Sequence, residues 1–150
     1  MPSPNGVRAW QAAIQVAERT RQLVALFPRR GYADLRDQMT RSSESIGNNI
    51  AEGRGSSFER EYIKYLDTAA RSANELTSQL VTVMEYGIVP RSLAFHLNGT
   101  VICTRRMIES LRDVVQANYE ARERQRRADA RSRRKVPKGK RAKKRVKKKG

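Results

Sequence analysis

Residues 58–83 read FEREYIKYLDTAARSANELTSQLVTV. Phe58, Tyr62, Tyr65, Ala69, Ala73, Leu76, Leu80 and Val83 recur through it at steps of 4, 3, 4, 4, 3, 4 and 3 residues. Steps averaging about 3.5 residues, held for roughly seven turns, place one apolar seam along a helix, and such a seam is buried only against other helices. Ser56 or Ser57 is positioned to cap the start, with Glu59 close to the acidic position of a capping box. No glycine or proline intervenes until Gly87 and Pro90.

Working outward, the same periodicity recurs on both sides. Val7, Trp10, Ile14, Ala17, Val24 and Phe27 mark a stripe on a first helix, which Pro28 stops and residues 29–31 turn. Leu35, Met39, Ile46 and Ile50 share a face of a second helix over residues 33–52, with Ser42 or Ser43 filling the gap. Gly53 stands where a left-handed cap would end it, and Gly55 follows in the turn. Ser92 opens a fourth segment carrying Leu93, Leu97, Val101, Ile108, Leu111 and Val115. The stripe fades near Asn118, although residues 120–134 are good helix formers and would extend the helix as a solvated rod. From Lys135 the chain is expected to be disordered, because nothing there can form a core. No segment alternates with period two. The fold class is therefore all-α: an antiparallel up-down four-helix bundle over residues 1–121 with a basic, largely disordered C-terminal tail over residues 122–150.

Charge divides the chain at the same place. The protein carries 32 Lys/Arg against 15 Asp/Glu, a net charge of +17. Residues 122–150 hold 17 of those cations and only the acids Glu123 and Asp129, a net +15, which leaves +2 for the rest. The cations are Arg122, Arg124, Arg126, Arg127, Arg131, Arg133, Arg134, Lys135, Lys138, Lys140, Arg141, Lys143, Lys144, Arg145, Lys147, Lys148 and Lys149. Packed this densely they repel one another, and a polyanion relieves the repulsion by releasing its counterions. These residues are the candidate nucleic-acid-binding set, with Arg29, Arg30, Arg105 and Arg106 as additions from the body. Anionic lipid is the competing polyanion, but no acylation site or insertion helix accompanies the tail, and no apolar run is long enough to span a membrane. One cysteine, Cys103, permits no internal disulfide and agrees with a reducing cytoplasm.

The polar stretch SIGNNIAEG, residues 45–53, is the other candidate site. Ile46 and Ile50 point inward, while Ser45, Asn49, Glu52 and Gly53 form the rest of the motif. Glu52 has no neighbouring histidine or carboxylate in sequence to pair with for acid–base work, and GRGS lacks the lysine of a phosphate loop. A structural or interface role explains more: Asn49 donating to carbonyls near the helix end or to the neighbouring helix, and Glu52 compensated by Arg54 or by a basic residue of another helix or subunit. His96 and Cys103 lie seven residues apart but are too few ligands for a metal. His96 reads as a surface histidine and Cys103 as a small apolar residue. Phe58, Tyr62 and Tyr65, interleaved with Arg60 and Lys64, suit base stacking, yet they fall on the seam, where core packing accounts for them. Trp10 reads as core or interface. No catalytic group, metal or cofactor is indicated.

Trp10 and its helix, FPRRGYADLRDQM (27–39), RSSESIGNNIAEGRG (41–55) and FEREYIKYLDTAARSANELTSQL (58–80) together resemble the bacterial S23-type four-helix bundle family. Its members are encoded in intervening sequences of 23S ribosomal RNA genes, and the family is related to the accessory variability determinant of diversity-generating retroelements. The resemblance covers residues 7–115, with SI-x-x-NIAEG its most specific piece. It implies a homo-oligomer, a pentameric barrel of bundles, with a basic surface for nucleic acid, and it favours RNA over DNA. It also implies an alternative, an accessory subunit that binds a reverse transcriptase and its RNA. A third reading is a structural oligomer with no nucleic-acid role. The tail departs from the family, most of whose members stop soon after the fourth helix, so it is read on its own charge.

Overall fold

The computed structural model describes residues 4–135 and contains four helices. They are α1 (Pro4–Val24), α2 (Ala33–Gly55), α3 (Glu59–Glu85) and α4 (Arg91–Lys135). Among the described residues there is no strand. By its contacts the chain separates into Met1–Tyr119 and Glu120–Gly150. The disorder expected beyond Lys135 falls outside the described residues.

Cross-helix pairs give the directions. Arg21 of α1 faces Glu44 of α2 at 3.8 Å, while Gly6, earlier in α1, lies beside Arg54, later in α2. Ser45 meets Ser72 of α3 at 2.9 Å, and Gly53 meets Tyr62 and Tyr65. Arg105 of α4 donates to Asn74 Oδ1 at 2.6 Å, and Arg112 Nε to Asp67 Oδ1 at 2.9 Å. In each pair one number rises as the other falls, so successive helices are antiparallel. Arg19 donates to Thr100 at 3.0 Å and closes the ring between α1 and α4. This is the up-down bundle anticipated from the four stripes.

The core differs from the stripes in its details. Ile14 is 46% exposed, whereas Ala9, Ala13 and Val16 are fully buried. The face of α1 is thus rotated toward its alanines, because small side chains let helices approach closely. On α3 the line runs through Ile63, Leu66, Ala69, Ala73, Leu76, Leu80 and Val83; Tyr62 and Tyr65 stand beside it. Phe58 is 67% exposed and lies outside the helix with extended backbone. On α4, Ala94 is buried in place of Leu93. Cys103 is exposed rather than packed. Ser42 and Ser43 are both buried and return their hydroxyls to the carbonyls of Gln38 and Thr40, at 2.8 Å in each case.

The turns also correct the expected punctuation. Gly53 is inside α2, which continues to Gly55. The left-handed glycine cap is instead Gly87 after α3, where Ile88 N–H reaches Val83 O at 3.1 Å and Gly87 N–H reaches Met84 O at 3.3 Å. No capping box forms at α3. Ser56 Oγ accepts Phe58 N–H at 3.2 Å and bonds Glu61 Oε2 at 2.7 Å, while Glu59 is the first helical residue. Before Pro28, α1 ends in tight turns from Leu26 N–H to Leu23 O and from Phe27 N–H to Val24 O. Gly31 and Tyr32, both left-handed, then reverse the chain.

Candidate nucleic-acid interface

The first cationic candidates lie on a helix because residues 120–135 contain alanine, glutamate, glutamine and arginine and no helix breaker. Arg122, Arg124, Arg126, Arg127, Arg131, Arg133 and Arg134 are all exposed on α4, which ends at Lys135. Lys138, Lys140, Arg141, Lys143, Lys144, Arg145, Lys147, Lys148 and Lys149 lie outside the described residues. The two acids are held within the helix. Glu123 accepts from Arg126 at 3.1 Å, and Asp129 accepts from Gln125 at 2.8 Å. No apolar stripe continues here: every residue from Arg124 to Arg134 is exposed.

The body arginines divide by surroundings. Arg29 and Arg30 are exposed in the turn after α1. Arg105 is engaged by Asn74 and by Glu109 at 3.6 Å, so it serves the α3–α4 contact. Arg106 is exposed and joins Asn5, Arg8, Met107 and Val114 around a groove of about 380 Å³ between α1 and α4.

Several residues of the 45–53 motif pack between helices. Ile46 and Ile50 are fully buried. Asn49 Nδ2 donates to Ser45 O at 2.7 Å and Ser45 Oγ at 3.0 Å, and Ser45 Oγ bonds Ser72 Oγ across to α3. Asn49 therefore bonds within its own helix rather than to the terminal carbonyls, because α2 runs on to Gly55. Gly47 faces Ala13 and Ile14 of α1. Gly53 is a slot: a Cβ there would lie 2.6 Å from Tyr62 Cδ2 and 2.9 Å from Tyr65 Cβ. Through that slot the Tyr62 hydroxyl reaches Gly6 of α1, beside Arg54. Burial raises the Tyr62 phenol above its ordinary value, and the Arg54 charge opposes this. Glu52 is exposed and has no ion pair among the described residues; Arg54 turns to Gly6 and Tyr62 rather than to it. Sequence reading missed the Gly6–Gly53–Tyr62 contact, whose signal was a pair of glycines inside helices.

His96 and Cys103 are both exposed on α4. Among the described residues no three His, Cys, Asp or Glu side chains gather to hold a metal. None of their helices is long and apolar enough to cross a membrane.

Fold and surface together define an all-α bundle whose last helix carries an exposed arginine segment. The chain belongs to the 23S rRNA-intervening sequence protein family, whose model matches residues 5–110. Among solved structures it is similar to a protein of unknown function of the S23 ribosomal protein family from Bacteroides thetaiotaomicron. The two share 20% identity with a TM-score of 0.68, over 73% of this chain and 98% of that one. That likeness concerns the fold. Among curated proteins nothing matches. The match to the family model ends at residue 110, so it does not reach the arginine segment.

Proposed function

We propose that this is a non-enzymatic, cytoplasmic, homo-oligomeric nucleic-acid-binding protein, with RNA as its preferred ligand. The observation that carries the reading is the charge of residues 122–150, 17 cations to two acids. The helical part supports it, since its arginines are exposed and its acids are already occupied by Arg126 and Gln125. The preference for RNA rests on the family description, a 23S rRNA-intervening sequence protein. The bundle supplies the self-associating scaffold, a pentamer by the resemblance of the motif. Several tails on one body would raise avidity without any new contact.

The test is titration of labelled RNA with the full chain and with a chain ending at residue 121. The full chain should lose roughly 10³–10⁵ in affinity between 50 and 200 mM salt, as expected where about six to ten phosphates are neutralised. The shortened chain should bind RNA far more weakly and with little salt dependence. Equal affinity and equal salt slope in the two would refute the proposal. Mass measurement of both by light scattering checks the oligomer.

A further inference from the structure

The cations of this chain change type at the end of α4. Up to Arg134 the only lysine is Lys64; from Lys135 onward eight of the ten cations are lysine. Arginine carries a planar fork that fits phosphate in two places and depends on fixed geometry, whereas lysine is a point charge on a flexible stem. Arg122 to Arg134 lie on α4, where helical geometry fixes the positions of their side chains.

That helix sorts its arginines onto two sides. Arg124, Arg127, Arg131 and Arg134 follow steps of 3, 4 and 3, and so form one ridge about 15 Å long at 1.5 Å per residue. Arg122, Arg133 and Arg126, which also pairs with Glu123 in its own helix, stand on the opposite side with Asp129. A rod about 10–12 Å across with arginines on two opposite sides suits a groove walled by two rows of phosphate. A single strand offers only one row. Proteins that hold single strands stack the bases on aromatic side chains, and residues 120–150 contain no Phe, Trp, Tyr or His.

We propose that residues 122–134 of α4 lie along a groove of base-paired nucleic acid and grip both of its phosphate rows, while the lysine charges that follow add electrostatic attraction. This rests on nucleic-acid binding by residues 122–150. Two duplexes present the shared chemistry. The major groove of B-form DNA is about 12 Å wide, whereas an RNA duplex offers a wide, shallow minor groove.

The experiment compares the full chain by fluorescence anisotropy on a DNA duplex, an RNA duplex of the same sequence and the separate strands, at one salt concentration. One duplex should bind at least about tenfold tighter than its strands, a difference of about 1.4 kcal/mol, because only a duplex offers a phosphate row to each arginine side. Ala128→Pro breaks the helix at an exposed position and leaves every charge in place. It should erase the duplex preference while single-strand affinity and the melting of the body stay the same. Replacing Arg124, Arg127, Arg131 and Arg134 together by lysine should act in the same direction at constant charge. Preference for either duplex supports the proposal and identifies the groove. Equal binding of duplex and strands, or an Ala128→Pro chain that keeps the preference, overturns it and leaves nucleic-acid binding standing. Absence of binding to every probe overturns both.

Discussion

At the scale of single residues, Gly53 works by leaving space. With no side chain, Gly53 lets Tyr62 cross α2 to reach Gly6 on α1. Gly53→Ala places a methyl against ring and backbone-proximal atoms that cannot swing away, so it should destabilise the bundle by about 1–3 kcal/mol. Chemical denaturation checks this, and a shift well under that range would mean the tyrosines move aside. Tyr62 carries a pH signature. Its phenol is raised in the folded protein by burial, above an ordinary value of about 10. The folded state then holds the proton more tightly than the unfolded one. Its contribution is present below pH ~10 and is lost as pH rises through the folded value. Tyr62→Phe should flatten the alkaline fall in melting temperature and change stability at neutral pH far less.

At the scale of elements, α3 shows which force holds the bundle. Its buried line, Ile63, Leu66, Ala69, Ala73, Leu76, Leu80 and Val83, runs nearly its whole length. Its bridge to α4, Asp67–Arg112, is 46% and 35% exposed. Leu76→Ala should therefore cost about 2–5 kcal/mol, and Asp67→Ala no more than about 1 kcal/mol. Paired denaturation curves decide between packing and ion pairs; an equal cost for the two would reverse the assignment. The stripe of α3 was legible because its apolar residues are large and regularly spaced. Its first turns were misread because Phe58, Tyr62 and Tyr65 carry large rings at the same helical spacing as the buried residues. Only the approach of α2 at Gly53 decides which of them is enclosed. The cap went the same way. Gly53 and Gly87 are both glycines near a helix end, and nothing local says which will turn left-handed.

At the scale of the whole molecule, a nearly neutral bundle and a cationic segment coexist in one chain. The contacts divide after Tyr119, where the apolar stripe of α4 has run out beyond Val115. A chain ending at residue 121 retains every residue of the buried core, so its melting temperature should stay within a few degrees of the full chain. A large fall would show that the charged segment supports the bundle. Nucleic-acid affinity should follow the charge and stability should follow the core, each measured on the same two proteins.

The order of residues alone determined the apolar stripe of each of the four helices and the charge asymmetry, because periodicity and charge are properties of the chain read one turn at a time. It also made the arginine segment visible, though not the two-sided ridge, which exists only once those residues are helical. The tertiary structure decided which sector of each stripe is enclosed: Ala13 in and Ile14 out, Leu66 in and Tyr65 aside. It also decided the contacts within SIGNNIAEG, with Asn49 turned to Ser45 and Gly53 beneath Tyr62. These outcomes depend on how closely a neighbouring helix approaches, which is set by the volumes of residues distant in sequence.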